Sequence, residues 1–163
     1  MGADLYIQSF HTKNQLQYRP AFEQALRARD LAVDQKDDAK IDAAQKEVER
    51  LWDLVNGDDG YFRDSYNGTS VMNFLGLSWW LNVIPMLDDD GKLTPKKCVD
   101  LWNSINSAPI PKVTKEFCES NNLGLDDECT LETWQAYFEK KRNTLLSFIK
   151  SAIANNEPID TSL

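Results

Sequence analysis

From position 65 to position 87 the chain reads SYNGTSVMNFLGLSWWLNVIPML, 23 residues without a charged side chain. In a chain in which 27% of residues are charged, such a run must either cross a membrane or lie inside a fold. Its content decides the matter. Asn67, Gly68, Thr69, Ser70, Asn73, Ser78, Asn82 and Pro85 punctuate it, and its apolar pieces fall far short of the roughly 20 residues a span needs. The segment reads as core, buried on all sides: a loop through Gly68, a short helix over 70–75, a turn at Gly76, and a second short helix from Ser78 to near Pro85.

The flanks are helical. Ahead of them, residues 3–9 suit a short N-terminal strand with Leu5 and Ile7 on one face. Pro20 fits a first helical position, and Phe22, Ala25 and Leu26 make a stripe that predicts a helix to about Leu31. Asp37 introduces a clearer helix, in which Ile41, Ala44, Val48, Leu51, Trp52 and Val55 recur at steps of three and four until Asn56-Gly57 stops it. The short link predicts an antiparallel hairpin. Thr94-Pro95 open another helix, with Cys98, Leu101, Trp102 and Ile105 inward and its end before Pro109. A short helical segment follows over 114–120. The longest helix starts after Thr130 and carries Leu131, Trp134, Phe138, Leu145, Ile149 and Ala152 inward as far as Asn155-Asn156. Residues 157–163 read as a tail. The expected fold is therefore mainly α: a single-domain irregular bundle of five to seven helices over residues 1–163.

Charge narrows the function. The net charge is -8, with thirteen acids and nine bases on each side of Asn82. An evenly acidic chain argues against nucleic acid, whose binding depends on clustered Lys and Arg. A basic protein partner is electrostatically allowed. Three cysteines without a C-x-x-C, and a start lacking the basic and apolar regions of a signal peptide, predict free thiols and a cytoplasmic location. No membrane association is expected.

Chemistry is sparse. The stretch MLDDDGKLTPKKC resembles a calcium loop if Gly91 takes its sixth position, which puts Asp88 and Asp90 on ligand positions. Met86 and Lys97 then occupy the first and last ligand positions, so the loop is rejected as a metal site and read as a helix-to-helix turn. His11 is the one histidine, and no nucleophile, phosphate-loop or zinc motif accompanies it. It reads as an ordinary surface or hydrogen-bonded histidine, and the sequence points to no catalytic residue or cofactor. The most distinctive polar group is Tyr61, Arg63, Asp64, Tyr66 and Asn67, just ahead of Trp79 and Trp80. These residues could line a pocket for a sugar, a planar ligand or a carboxylate. The plainer reading carries more weight: Arg63 and Asp64 pair or cap a neighbouring helix, while Tyr66 and the tryptophans fill the core.

MGADLYI, GYFRDSYN, LGLSWW and EPIDTSL together resemble a family of bacterial hypothetical proteins of similar length. The resemblance implies a bacterial, single-domain protein and carries no activity. The sequence thus leads to a small acidic binding protein, acting on another protein as an adaptor or inhibitor would. The alternative is a small-molecule binder or enzyme built around Arg63, Asp64, Tyr66 and Trp79 or Trp80.

Overall fold

The computed structural model describes residues 2–56 and 60–163. Among these the chain is mainly α, with six α-helices and a four-stranded sheet. It divides into two compact units, Gln8–Tyr61 and Met1–Ile7 with Phe62–Leu163.

The first unit is a helical hairpin. Helix α1 spans Gln8–Asp34 and α2 spans Asp38–Asn56. α1 starts well before the expected Pro20, which sits inside it. The sequence hid the first half because no residue of that half is fully buried: the fully buried positions, Ala25 and Ala32, both follow Pro20. Lys36 closes α1 at φ 54°, with Lys36 N–H donating to Val33 O and Asp37 N–H to Ala32 O. That paired closure leaves few carbonyls unsatisfied and turns the chain at once into α2, whose first turn Asp37 caps through Lys40 N–H at 3.2 Å. The hairpin core is Ala25, Val48 and Leu51, with Phe22, Leu26 and Leu54 against it and Phe22 tilted over Trp52 at 5.7 Å. Gly57, expected to stop α2, lies outside the described residues.

The second unit holds the sheet, in the order β2-β1-β4-β3. Its strands are β1 Gly2–Tyr6, β2 Tyr61–Ser65, β3 Lys92–Leu93 and β4 Ile159–Ser162. The N-terminal strand was expected. The strand β2 replaces an expected loop, and β4 replaces an expected tail. β4 runs antiparallel to both neighbours, with Leu5 opposite Thr161 and Leu93 opposite Ile159. Ala3, Leu5, Leu93 and Ile159 are buried, which makes this face a core surface. Asp88, between the 87 position and β3, closes a turn by accepting from Asp90 N–H at 3.1 Å and Lys92 N–H at 2.9 Å, with Gly91 at φ 75°.

Four helices complete this unit: α3 Val71–Phe74, α4 Pro95–Ser107, α5 Lys115–Ser120 and α6 Leu131–Asn155. Ser70, Thr94, Thr114 and Thr130 each cap the next helix by accepting a backbone N–H three residues on. α6 carries the core. Phe138 stacks on Phe74 at 4.4 Å with rings 8° apart, and Phe117 meets both edge-on at 5.7 Å. One position on the inward stripe of α6 is charged. Arg142 is buried, and its guanidinium donates to the carbonyls of Ile105 and Asn106 at 3.3 and 2.9 Å, at the C-terminal end of α4 where a cation is favoured.

The uncharged run is only partly interior, which corrects the expectation of burial on all sides. After α3, a π-helical turn over Trp79–Val83 leads into a 3-10 turn over Ile84–Met86. Trp79 and Val83 point inward, so Trp80, Leu81 and Asn82 between them face outward. No helix among the described residues is long and apolar enough to cross a membrane.

Candidate functional site

Strand β2 sends alternate side chains to opposite faces, so Phe62 and Asp64 are buried while Arg63 is exposed. Arg63 and Asp64 therefore cannot pair. Arg63 Nε lies 3.6 Å from Asp4 on β1, and both side chains reach solvent. Asp64 goes into the interior, where it is 1% exposed.

A buried carboxylate needs donors to compensate for lost hydration, and Asp64 has five. Oδ1 accepts from Val71 N–H at 3.0 Å and lies 2.8 Å from the Lys141 ammonium. Oδ2 accepts from the Ser70 hydroxyl at 2.8 Å, the Trp79 indole N–H at 2.7 Å and Met72 N–H at 3.4 Å. Ser70 meanwhile accepts from Asn73 N–H, so one hydroxyl links the carboxylate to the cap of α3. Lys141, on α6, also donates to Thr69 O at 3.2 Å and to the Tyr137 hydroxyl at 3.0 Å, which uses all three of its N–H groups. Asp64 thus ties together β2, α3, the π-helical turn and α6.

The aromatic pair divides in the same way. Trp79 is buried on Asp64, whereas the Trp80 ring lies outside against Tyr66 at 5.7 Å. Burial first, then the carboxylates of Asp4 and Asp64, push the Tyr66 phenol above its ordinary value. Its hydroxyl is buried and has no hydrogen-bond partner among the described residues.

Tyr66 and Asn67 also line a cleft of about 370 Å³. One wall is the 66–69 loop with Asn73 of α3; the other is the 120–123 turn that closes α5. The two walls touch at Gly68. A Cβ there would run into the carbonyl oxygen of Asn121, so only glycine lets the loop lie against that turn. Asn67 Oδ1 accepts from Thr69 N–H at 3.0 Å and from the Thr69 hydroxyl at 2.7 Å, while Thr69 Oγ1 lies 2.7 Å from Ser65 Oγ. Across the cleft, Asn121 Nδ2 donates to Phe117 O at 2.9 Å, and Asn122 turns the chain at φ 54°.

The seven residues singled out in the sequence therefore separate. Asp64 and Trp79 meet in the interior, Tyr66 and Asn67 line the cleft, Trp80 flanks Tyr66 outside, Arg63 joins Asp4, and Tyr61 is the half-buried first residue of β2. Sequence reasoning missed Lys141 and the 120–123 turn. Lys141 lies on the Phe138-Leu145 side of α6, a position that suggests partial burial. Asn121-Asn122 carried a readable signal as a helix-ending pair but none of proximity to Asn67. Asp88 and Asp90, rejected as metal ligands, sit in the turn that Asp88 itself closes. His11 lies in α1, where burial lowers its pKa below the ordinary value.

Comparison with protein-family models, with curated proteins and with solved structures finds no match.

Proposed function

We propose that this is a non-catalytic binding protein that engages another protein through the turn bearing Trp80 and Leu81. The observation that carries this reading is the presentation of that pair. Trp80 is 55% exposed and Leu81 80% exposed, side by side on a turn whose inner residue, Trp79, is bonded to Asp64. Exposed apolar side chains on an anchored turn lose little freedom on docking, and tryptophan is the side chain most enriched where binding energy concentrates. The chain's acidity favours a partner with basic residues around its apolar contact, because opposite charge speeds encounter.

Binding is preferred to catalysis for a chemical reason. Asp64, the one carboxylate in the candidate group, is spent on five donors, and the cleft beside it is lined by amides, hydroxyls, one phenol ring and Leu123. None of these lining groups is a base or nucleophile with an activating neighbour.

Affinity capture from an extract of the source cells tests the reading when the full chain is run beside Leu81→Asp and Trp80→Ala/Leu81→Ser variants. A protein enriched by the native chain and lost with both variants is the expected result. Enrichment that both variants retain, or none at all, would count against it.

A further inference from the structure

We propose that the cleft between the 66–69 loop and the 120–123 turn is a binding site for a small neutral saccharide. This inference stands apart from the protein-docking reading and uses different residues.

Its volume of about 370 Å³ lies within the roughly 300–1,000 Å³ typical of small-molecule sites. More telling is what lines it. In a chain that is 27% charged, none of the nine lining residues bears a charge, whereas the walls carry four asparagine amides and the hydroxyls of Thr69 and Ser120.

The internal bonds of the walls leave a defined set of groups unused. Asn67 spends its oxygen on Thr69, which keeps its Nδ2 donors available. Asn121 spends its Nδ2 on Phe117 O, which keeps its Oδ1 acceptor available. The side-chain amides of Asn73 on one wall and Asn122 on the other have no hydrogen bond within the described residues, and each offers both kinds of group. Because Asn67 and Asn121 are already fixed, a ligand does not have to order them, which lowers the entropic cost of binding.

These groups select by chemistry. A charged ligand would lose hydration with no opposite charge to meet it, and an apolar ligand would cover amides without bonding them. A sugar fits both demands, since each ring hydroxyl donates and accepts while the C–H face of the ring can rest on the Tyr66 ring. The fixed turn geometry at Asn122 and Gly68 sets the spacing of the two walls.

The test is a ¹⁵N NMR titration of the full chain with glucose, galactose, mannose, N-acetylglucosamine and maltose, each to about 20 mM, where millimolar affinity is readable. Glucuronate and glucosamine serve as charged controls. The expected result is saturable shifts of the backbone amides of 67–69, 73 and 120–123 with at least one neutral sugar. The Asn73→Ala variant, truncated at an exposed side chain, should bind roughly tenfold more weakly while its spectrum elsewhere is unchanged, as expected for one lost hydrogen bond. No saturable shift with any neutral sugar overturns the proposal. So does binding that Asn73→Ala leaves intact, or equal binding of the charged controls.

Discussion

Asp64 and Lys141 meet at 2.8 Å in the interior, the carboxylate from β2 and the ammonium from α6, with every N–H of the lysine and both oxygens of the aspartate engaged. Removing either partner leaves the other buried with an imperfect set of bonds, but the two losses are unequal. Asp64→Ala strands an ammonium, an indole N–H, a hydroxyl and two helix N–H groups, and should cost about 3–5 kcal/mol. Lys141→Met leaves Asp64 with four donors and should cost less, about 1–3 kcal/mol. Urea unfolding of the two variants checks the order. An Asp64→Ala protein within about 0.5 kcal/mol of the native one would mean that the cluster is not structural.

Gly68→Ala should destabilise by about 1–3 kcal/mol, because the new methyl meets a backbone oxygen that cannot swing aside as a side chain would. The 120–123 turn must move away from the loop. Chemical shifts of those four residues should change in the variant, and an unchanged turn would contradict the close packing at this point.

Thiol labelling should separate the three cysteines. Cys98 and Cys118 are fully buried, and burial pushes the Cys98 thiol up to about 11, so at pH 8 only roughly one molecule in a thousand carries the thiolate. Cys129 is partly exposed, although Asp126 raises its pKa as well. With a disulfide reagent at pH 8, one thiol per chain should react slowly in the native state and all three after unfolding. Mass spectrometry of the labelled native protein should place the label on Cys129. Label on Cys98 at the same rate would refute its burial.

The one histidine gives a pH dependence of known sign. Burial lowers the pKa of His11 in the folded state, so the unfolded chain binds more protons there. Its contribution to stability is complete above the unfolded value of about 6.5. It is lost as the pH falls from there through the folded value. His11→Gln should flatten the stability profile between pH 7.5 and pH 5.5, where few carboxylates titrate. A profile unchanged by the substitution would show that His11 is not desolvated.

Which elements the sequence revealed depended on how local their causes are. The helix starts at Ser70, Ser78, Thr94, Thr114 and Thr130 were all legible, because a cap is a bond between a side chain and a backbone three residues away. β2 was not legible, since its inward positions are Phe62 and a charged residue, Asp64, whose compensating partners come from positions 70–72, 79 and 141. β4 was hidden for a similar reason. Only Ile159 of its four residues is buried, and its pairing is with strands at positions 4–6 and 92–93. The candidate group itself was read as one cluster because it is contiguous, yet strand alternation sends Arg63 and Asp64 to opposite faces. Contiguity in the chain did not predict which of these side chains meet in space.

The order β2-β1-β4-β3 also has a consequence for biogenesis. The strand made last lies between β1, made first, and β3, so β3 has no neighbour in the sheet until residues 159–162 exist. On a translating ribosome the hairpin of α1 and α2 can close early, since its contacts are local. The sheet cannot be completed before its final strand is made, so the buried side chains of β1 and β3 gain their shared neighbour last.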